Sequence, residues 1–218
     1  MSPESESNQE GRIVSRWLGR LDYRSAKTLM LELVEERARD ETPDTLLLVE
    51  HPPVYTRGRA EAAEDVLDPA IEIIDVERGG RITFHGPGQL VAYPIVRLWG
   101  KGRDLHRFLR LLEDVLIDCL AAFGLEGSRD PLGTGVFVSG KKIASIGIAI
   151  RRWVTFHGIA LNVSTDLRAF ERIRPCGFDA DLMTNLALEL GREPKLSEVA
   201  ARLEEAMQER LAEYGSRS

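Results

Sequence analysis

Two side chains carry most of the chemistry that this sequence could perform. Cys176 sits in Arg172-Ile173-Arg174-Pro175-Cys176-Gly177-Phe178-Asp179. The proline fixes how the chain approaches the thiol, and the glycine lets a ligand come close to the backbone. Two arginines just upstream favour a thiolate. This is the setting of a nucleophile, although a loop cysteine between Pro and Gly also arises for structural reasons. Cys119 differs: it falls on the apolar stripe of a helical pattern and reads as a small core residue. A free thiol has a pKa of about 8.5, so a nucleophilic cysteine needs a proton acceptor. His51, His85, His106 and His157 are the imidazoles available. His106 belongs to an amphipathic helix, His51 precedes two prolines, and His85 and His157 are each followed by glycine. Lys142 is another candidate. On an extended strand it shares parity with Ala144, Ile146, Ile148 and Ile150, which predicts that it points to their apolar face and loses hydration there. The bland reading is a turn lysine that reaches water.

Other chemistries lack support. Gly135 to Lys141 matches the first seven positions of a phosphate-binding loop, but Lys142 replaces the required Ser/Thr and strand-like residues surround it. No dinucleotide fingerprint opens a helix, and the cysteines and histidines show no zinc spacing. We therefore expect no metal and no cofactor.

Those residues need elements to hold them. Residues 11–23 read as a strand with a turn, and 25–40 as a helix with Leu29, Leu31, Leu33 and Val34 on its apolar side. Leu46 to Val49 form a short buried strand stopped by Pro52 and Pro53. Residues 71–96 alternate strands with glycine-rich turns. The clearest helix spans 103–124, with Leu105, Phe108, Leu112, Val115, Leu116, Cys119 and Phe123 at helical spacing and Gly124 closing it. Residues 135–163 read as a β-meander turning at Ser139-Gly140. A loop follows over 164–182, and Ser197 is the expected cap of a last helix. Strands in runs with segregated helices predict an α+β or mixed α/β single domain, not a doubly wound one. Residues 1–10 read as a disordered tail ahead of a domain over 11–218.

The 218 residues are 43% hydrophobic and 29% charged, which is ordinary for a globular chain. No run suits a membrane span, and two cysteines make no disulfide framework, so a cytoplasmic location is expected. A net charge of −6 argues against nucleic acid. Residues 78–110 carry seven Lys/Arg against Asp104, and residues 136–175 carry seven against Asp166 and Glu171. If those blocks share a face they make a basic patch for an acidic partner; scattered solvated charge is the alternative.

Four blocks lead further. Residues 50–59 (EHPPVYTRGR), 78–94 (RGGRITFHGPGQLVAYP), 140–163 (GKKIASIGIAIRRWVTFHGIALNV) and 173–178 (IRPCGF) together resemble the lipoyl(octanoyl) transferase family, in order and across about residues 15–215. The resemblance implies the catalytic fold shared by lipoate and biotin protein ligases. It implies transfer of an octanoyl group from acyl carrier protein to a lysine of a lipoyl-accepting domain. Acceptors of that kind are the lipoyl domains of 2-oxoacid dehydrogenase complexes and the glycine-cleavage H protein. Residue by residue, it makes Cys176 the acyl-thioester nucleophile and Lys142 its partner. It makes Arg78, Gly79, Gly80, Arg81, Ile82, Thr83, Phe84 and His85 a substrate-binding stretch. Ser145, Ile146 and Gly147 with Gly158, Ile159 and Ala160 become strands lining an acyl pocket. Arg57 and Arg59 receive no role. The rivals are an ATP-dependent lipoate or biotin ligase on the same fold, a non-catalytic acyl-binding module, and a cysteine hydrolase using His85 or His157.

Overall fold

A computed structural model describes residues 13–60, 63–130, 133–177 and 179–216, with backbone alone at Lys101, Cys176, Gly215 and Ser216. The expected tail over 1–10 lies outside them. The chain runs β1 (Val14–Arg20), α1 (Tyr23–Ala38), β2 (Thr45–Glu50), β3 (Val54–Arg57), β4 (Ile73–Asp75), β5 (Ile82–His85) and β6 (Gln89–Ile95). It continues through α2 (Leu105–Ala121), β7 (Ser128–Asp130), β8 (Gly133–Val138), β9 (Lys141–Arg151), β10 (Val154–Asn162), α3 (Leu186–Leu190) and α4 (Leu196–Ser216).

Seven strands form the main sheet in the order β1-β2-β6-β10-β9-β8-β7, antiparallel except for the β1–β2 edge. Strand alternation gives it two apolar faces. One, with Leu46, Leu90, Ile146, Ile148 and Ile159, packs against α2 and α4. The other, with Leu47, Val91, Tyr93, Ala149 and Phe156, packs against α1. A small sheet, β4-β3-β5, carries a third cluster of Tyr55, Ile82, Phe84, Phe170, Ile173 and Met183. This is the mixed single-domain class that the sequence predicts.

Local signals explain most boundaries. Asp22 caps α1 by accepting from Ser25 N, and Asp104 caps α2 by accepting from Arg107 N. Ser139 and Gly140 both take positive φ, as a two-residue hairpin turn requires. Three expectations change. The buried side of α1 is Tyr23, Ala26, Met30, Leu33 and Val34, while Leu29 and Leu31 are only half-buried, because the face turned to the sheet is the one that carries Ala26, Met30, Leu33 and Val34. Ser197 lies inside α4 and does not cap it. The stretch 164–182 contains short 3₁₀ turns at Leu167–Arg172, Pro175–Gly177 and Ala180–Leu182.

Half of the cations in the two basic blocks are paired with carboxylates, so a basic patch is at most partial. Arg81 pairs with Asp65, Arg97 with Asp40, Arg110 with Glu113, Arg151 and Arg152 with Glu35, Arg168 with Asp166, and Arg172 with Asp68. Most of these carboxylates come from the acidic stretches, while Asp166 lies within the second basic block itself. No helix among the described residues is long and apolar enough to cross a membrane.

Candidate active site

Lys142 is 1% exposed, and the way it becomes buried corrects the strand-parity expectation. The β8–β9 ladder pairs Val136 with Ala144 and then Phe137 with Lys142, so Ile143 is an extra residue. This β-bulge puts Ile143 and Ala144 on the same α2-facing side and reverses the parity of everything before them. Lys142 consequently shares a face with Phe137 and Ser145, opposite Ala144 and Ile146. Its Nζ lies 5.5 Å from the Phe137 ring centre and donates to the Thr134 carbonyl at 3.1 Å. Gly135, the partner of Ser145, leaves room for it: a Cβ there would stand 3.3 Å from Nζ.

The segment that carries Cys176 is tied down on both sides. Upstream, Ile173 bridges Val66 and Arg174 N donates to the Asp65 carbonyl at 2.8 Å. Downstream, Met183 bridges Lys142 itself, and Thr184 N donates to the Lys142 carbonyl at 3.0 Å. The intervening Pro175–Gly177 turn packs against β5. Gly177 has φ +84° and passes so close to Arg81 that a Cβ would lie 2.7 Å from its guanidinium. Cys176 itself sits in that turn, between the two anchors.

On the α1-facing side of the sheet, the face that Lys142 shares with Ser145, lies a partly open cavity. Of the residues singled out by the sequence, Arg78, Gly80, Thr83, His85, Ser145, Ile146, Gly147, Gly158, Ile159 and Ala160 line it. Register explains the grouping, because Ser145 pairs with Ala160 and Gly147 with Gly158 across β9 and β10. Lys142 is not part of the wall, and four of the expected substrate-binding residues do not reach it. Ile82 and Phe84 alternate away from Thr83 and His85 into the third cluster. Gly79 N donates to the Ile148 carbonyl at 2.9 Å, docking the loop on the sheet. Arg81 grips Asp65 through two bonds of 2.5 and 2.6 Å.

Arg78 is buried and serves the loop as a brace. It donates to the carbonyls of Gly79, Arg81 and Thr56 and to Thr56 Oγ1, at 2.8–3.0 Å. The small residues beneath it are required by contact: a Cβ on Gly147 would meet Gly79 O at 2.9 Å.

Sequence reasoning missed the ring cluster that closes the cavity. Tyr23 from α1, Tyr93 from β6, His51 after β2, and His85 and His157 have ring centres 5.5–6.4 Å apart in successive pairs. Tyr93 within an otherwise apolar strand and Tyr23 directly after a helix cap were the available signals. Hydrogen bonds run through the cluster: His51 Nε2 to Tyr93 Oη at 2.8 Å, and Tyr23 Oη to His157 Nδ1 at 3.3 Å. A second chain begins at His85, whose Nδ1–H donates to Gln89 Oε1 at 2.8 Å. Gln89 Nε2 donates to Asn162 Oδ1 at 2.9 Å, and Asn162 Nδ2 donates to the Thr184 carbonyl at 3.0 Å. The final carbonyl can only accept, which fixes both amide orientations and the His85 tautomer.

Burial sets the protonation of these rings. It pushes His85 down to about 3, with His51 and Arg78 adding to the effect. It pushes His157 down to about 4, with Arg78 the next cause. His51 is lowered for the same reason. Imidazoles this reluctant to accept protons are poor general bases at neutral pH. Tyr23 and Tyr93 are raised by burial and stay protonated. Cys119, pushed up to about 12 by burial, is an inert thiol.

Residues 22–208 match the family model described as the lipoyl protein ligase A/B catalytic domain. Among curated relatives, the octanoyltransferase of Rubrobacter xylanophilus is 48% identical over 98% of this chain and 100% of its own length. The chain belongs to the octanoyltransferase family. It is thus an acyltransferase. The octanoyltransferase of Geobacter metallireducens is 50% identical over 84% of this chain and 86% of its own. Among solved structures, a lipoate-protein ligase A bound with ATP superposes with a TM-score of 0.69 at 18% identity, covering 93% of this chain and 85% of that one. A biotin protein ligase from Aquifex aeolicus in complex with biotin and ATP gives 0.60 at 15%, covering 94% and 73%. At such identities these structures establish the shared fold.

Proposed function

We propose that this acyltransferase moves an octanoyl group from the thioester of acyl carrier protein to a lysine of a lipoyl domain, through a thioester on Cys176. The observation that carries the reading is the burial of Lys142 beside a slim cavity, on a strand bridged directly to the segment that follows Cys176. The acceptors are lipoyl domains of 2-oxoacid dehydrogenase complexes and the glycine-cleavage H protein. No cofactor or metal takes part.

In this mechanism Lys142 accepts the thiol proton and the Cys176 thiolate attacks the donor carbonyl. The carrier's thiolate leaves and takes that proton back, so the acyl-enzyme forms without ATP. The acceptor amine then attacks the Cys176 thioester, loses a proton to Lys142, and expels the Cys176 thiolate. The octanoyl tail lies over Ser145, Ala160, Gly147 and Gly158. Arg78 holds the loop that roofs it, and Gly79 keeps that loop on the sheet. Arg81, between Asp65 and Gly177, fixes the turn that carries the nucleophile.

The test is intact-mass spectrometry after incubation with octanoyl-acyl carrier protein and no ATP. One octanoyl adduct on the wild type, absent in Cys176→Ala and discharged by an apo-lipoyl domain, is the expected result. Acceptor modification only when ATP and free acid are supplied would place the protein with the ligases and refute the covalent step.

A further inference from the structure

At the end of the cavity away from Ser145 and Lys142, the wall includes a residue with a left-handed backbone. His157 stands inside β10 with φ +58°. An unbroken strand would send its side chain to the α2-facing side with its partner Ile148. A non-glycine residue in this region costs about 1 kcal/mol or more. The next residue, Gly158, lies where a Cβ would meet Pro94 Cδ at 2.6 Å, so the two strands are pinched together at this point. The outcome of the twist is that the imidazole enters the cavity wall and meets the Tyr23 hydroxyl.

With Tyr23 donating to Nδ1, the Nε2–H of His157 finds no hydrogen-bond partner among the described residues; Glu77 Oε2 stands 3.6 Å away. Glu77 pairs with Lys27 at 2.9 Å, and these side chains are 36% and 23% exposed. Beyond His157 there is therefore one ion pair and then solvent. The Lys142 amine sits at the level of Ser145, and His157 pairs with Ile148, three residues further along β9. At a strand's rise that is roughly 10 Å, a span that a medium-length acyl chain fills when extended.

We infer that His157, latched to Tyr23, is the end stop that limits the length of the acyl chain. This rests on the functional reading above, in which the thioester lies at the Lys142 end. A longer tail must swing the imidazole aside, break its bond to Tyr23 and press a methyl group against the Glu77 carboxylate, leaving buried polar groups unpaired.

His157→Gly tests this without fighting the fold, because glycine adopts φ +58° freely. Octanoyl, decanoyl and dodecanoyl thioesters of acyl carrier protein are compared as donors to an apo-lipoyl domain. The dodecanoyl-to-octanoyl ratio of kcat/KM should rise at least tenfold in His157→Gly and by a smaller factor in Tyr23→Phe, which loses the latch but keeps the ring. An unchanged ratio in His157→Gly overturns the end stop; should that variant not fold, an unchanged ratio in Tyr23→Phe does so. A wild type that takes no acyl group from any thioester donor refutes the functional reading instead.

Discussion

Gly147→Ala separates the roof of the cavity from the stability of the fold. Gly147 needs no left-handed backbone, so alanine fits its extended conformation. Restricting the unfolded chain favours the variant by about 0.4–1 kcal/mol. Against this, the new methyl would stand 2.9 Å from Gly79 O and 3.0 Å from Arg78 Cδ. Overpacking of this kind costs about 1–3 kcal/mol. The net is a loss of about 0–2.5 kcal/mol, or a Tm drop of up to about 10 °C for a chain of this length. Folding with a stability of about 5–15 kcal/mol survives that loss. The contact relaxes by lifting the 78–81 loop, because Gly79 is held to the sheet by its one bond to Ile148, while Arg78 is anchored on β3 through Thr56. A displaced roof misplaces the acyl chain, and an error near 1 Å costs about 100-fold. Steady-state octanoyl transfer to an apo-lipoyl domain, with urea unfolding of the same preparation, measures both quantities. The expected result is a 10- to 100-fold fall in kcat/KM with a folded protein. Wild-type kcat/KM in a folded Gly147→Ala variant would refute the claim that this glycine seats the loop over the substrate.

Two further outcomes follow from buried charge. Folded His85 and His157 titrate near 3 and 4, below the ordinary value of about 6.5; from about pH 6.5 down to those values the unfolded chain binds more protons than the folded one. Stability is therefore full above about pH 6.5 and falls as pH drops, by about 1.4 kcal/mol per pH unit for each ring, and urea midpoints at pH 7.0 and 5.5 that coincide would contradict this. Arg81→Ala strands the Asp65 carboxylate, whose side chain is 2% exposed, and should cost about 2–4 kcal/mol; Arg168→Ala, which breaks a solvent-exposed pair, should cost about 0–1 kcal/mol by the same unfolding assay.

Amphipathic spacing and capping residues are local properties, so the sequence located α2 to within two or three residues at each end and supplied Ser139-Gly140 as a turn. The residue blocks likewise point to Cys176, Lys142 and the strands around the cavity. The facing of Lys142 was not legible. Alternation predicts it only for an unbroken ladder, and the extra residue at Ile143 becomes visible only when β8 supplies the register. The facing of His157 escaped for a related reason: its strand parity fails because the residue itself takes a left-handed backbone. Charge behaved the same way, because the basic blocks meet their carboxylates across distances of up to 117 residues in the chain. The sequence by itself determined which elements form, the family, and the candidate nucleophile with its lysine. Only the tertiary structure decided which side chains share the cavity and which rings stay neutral. Those depend on strand register and burial, which arise when distant segments pack together.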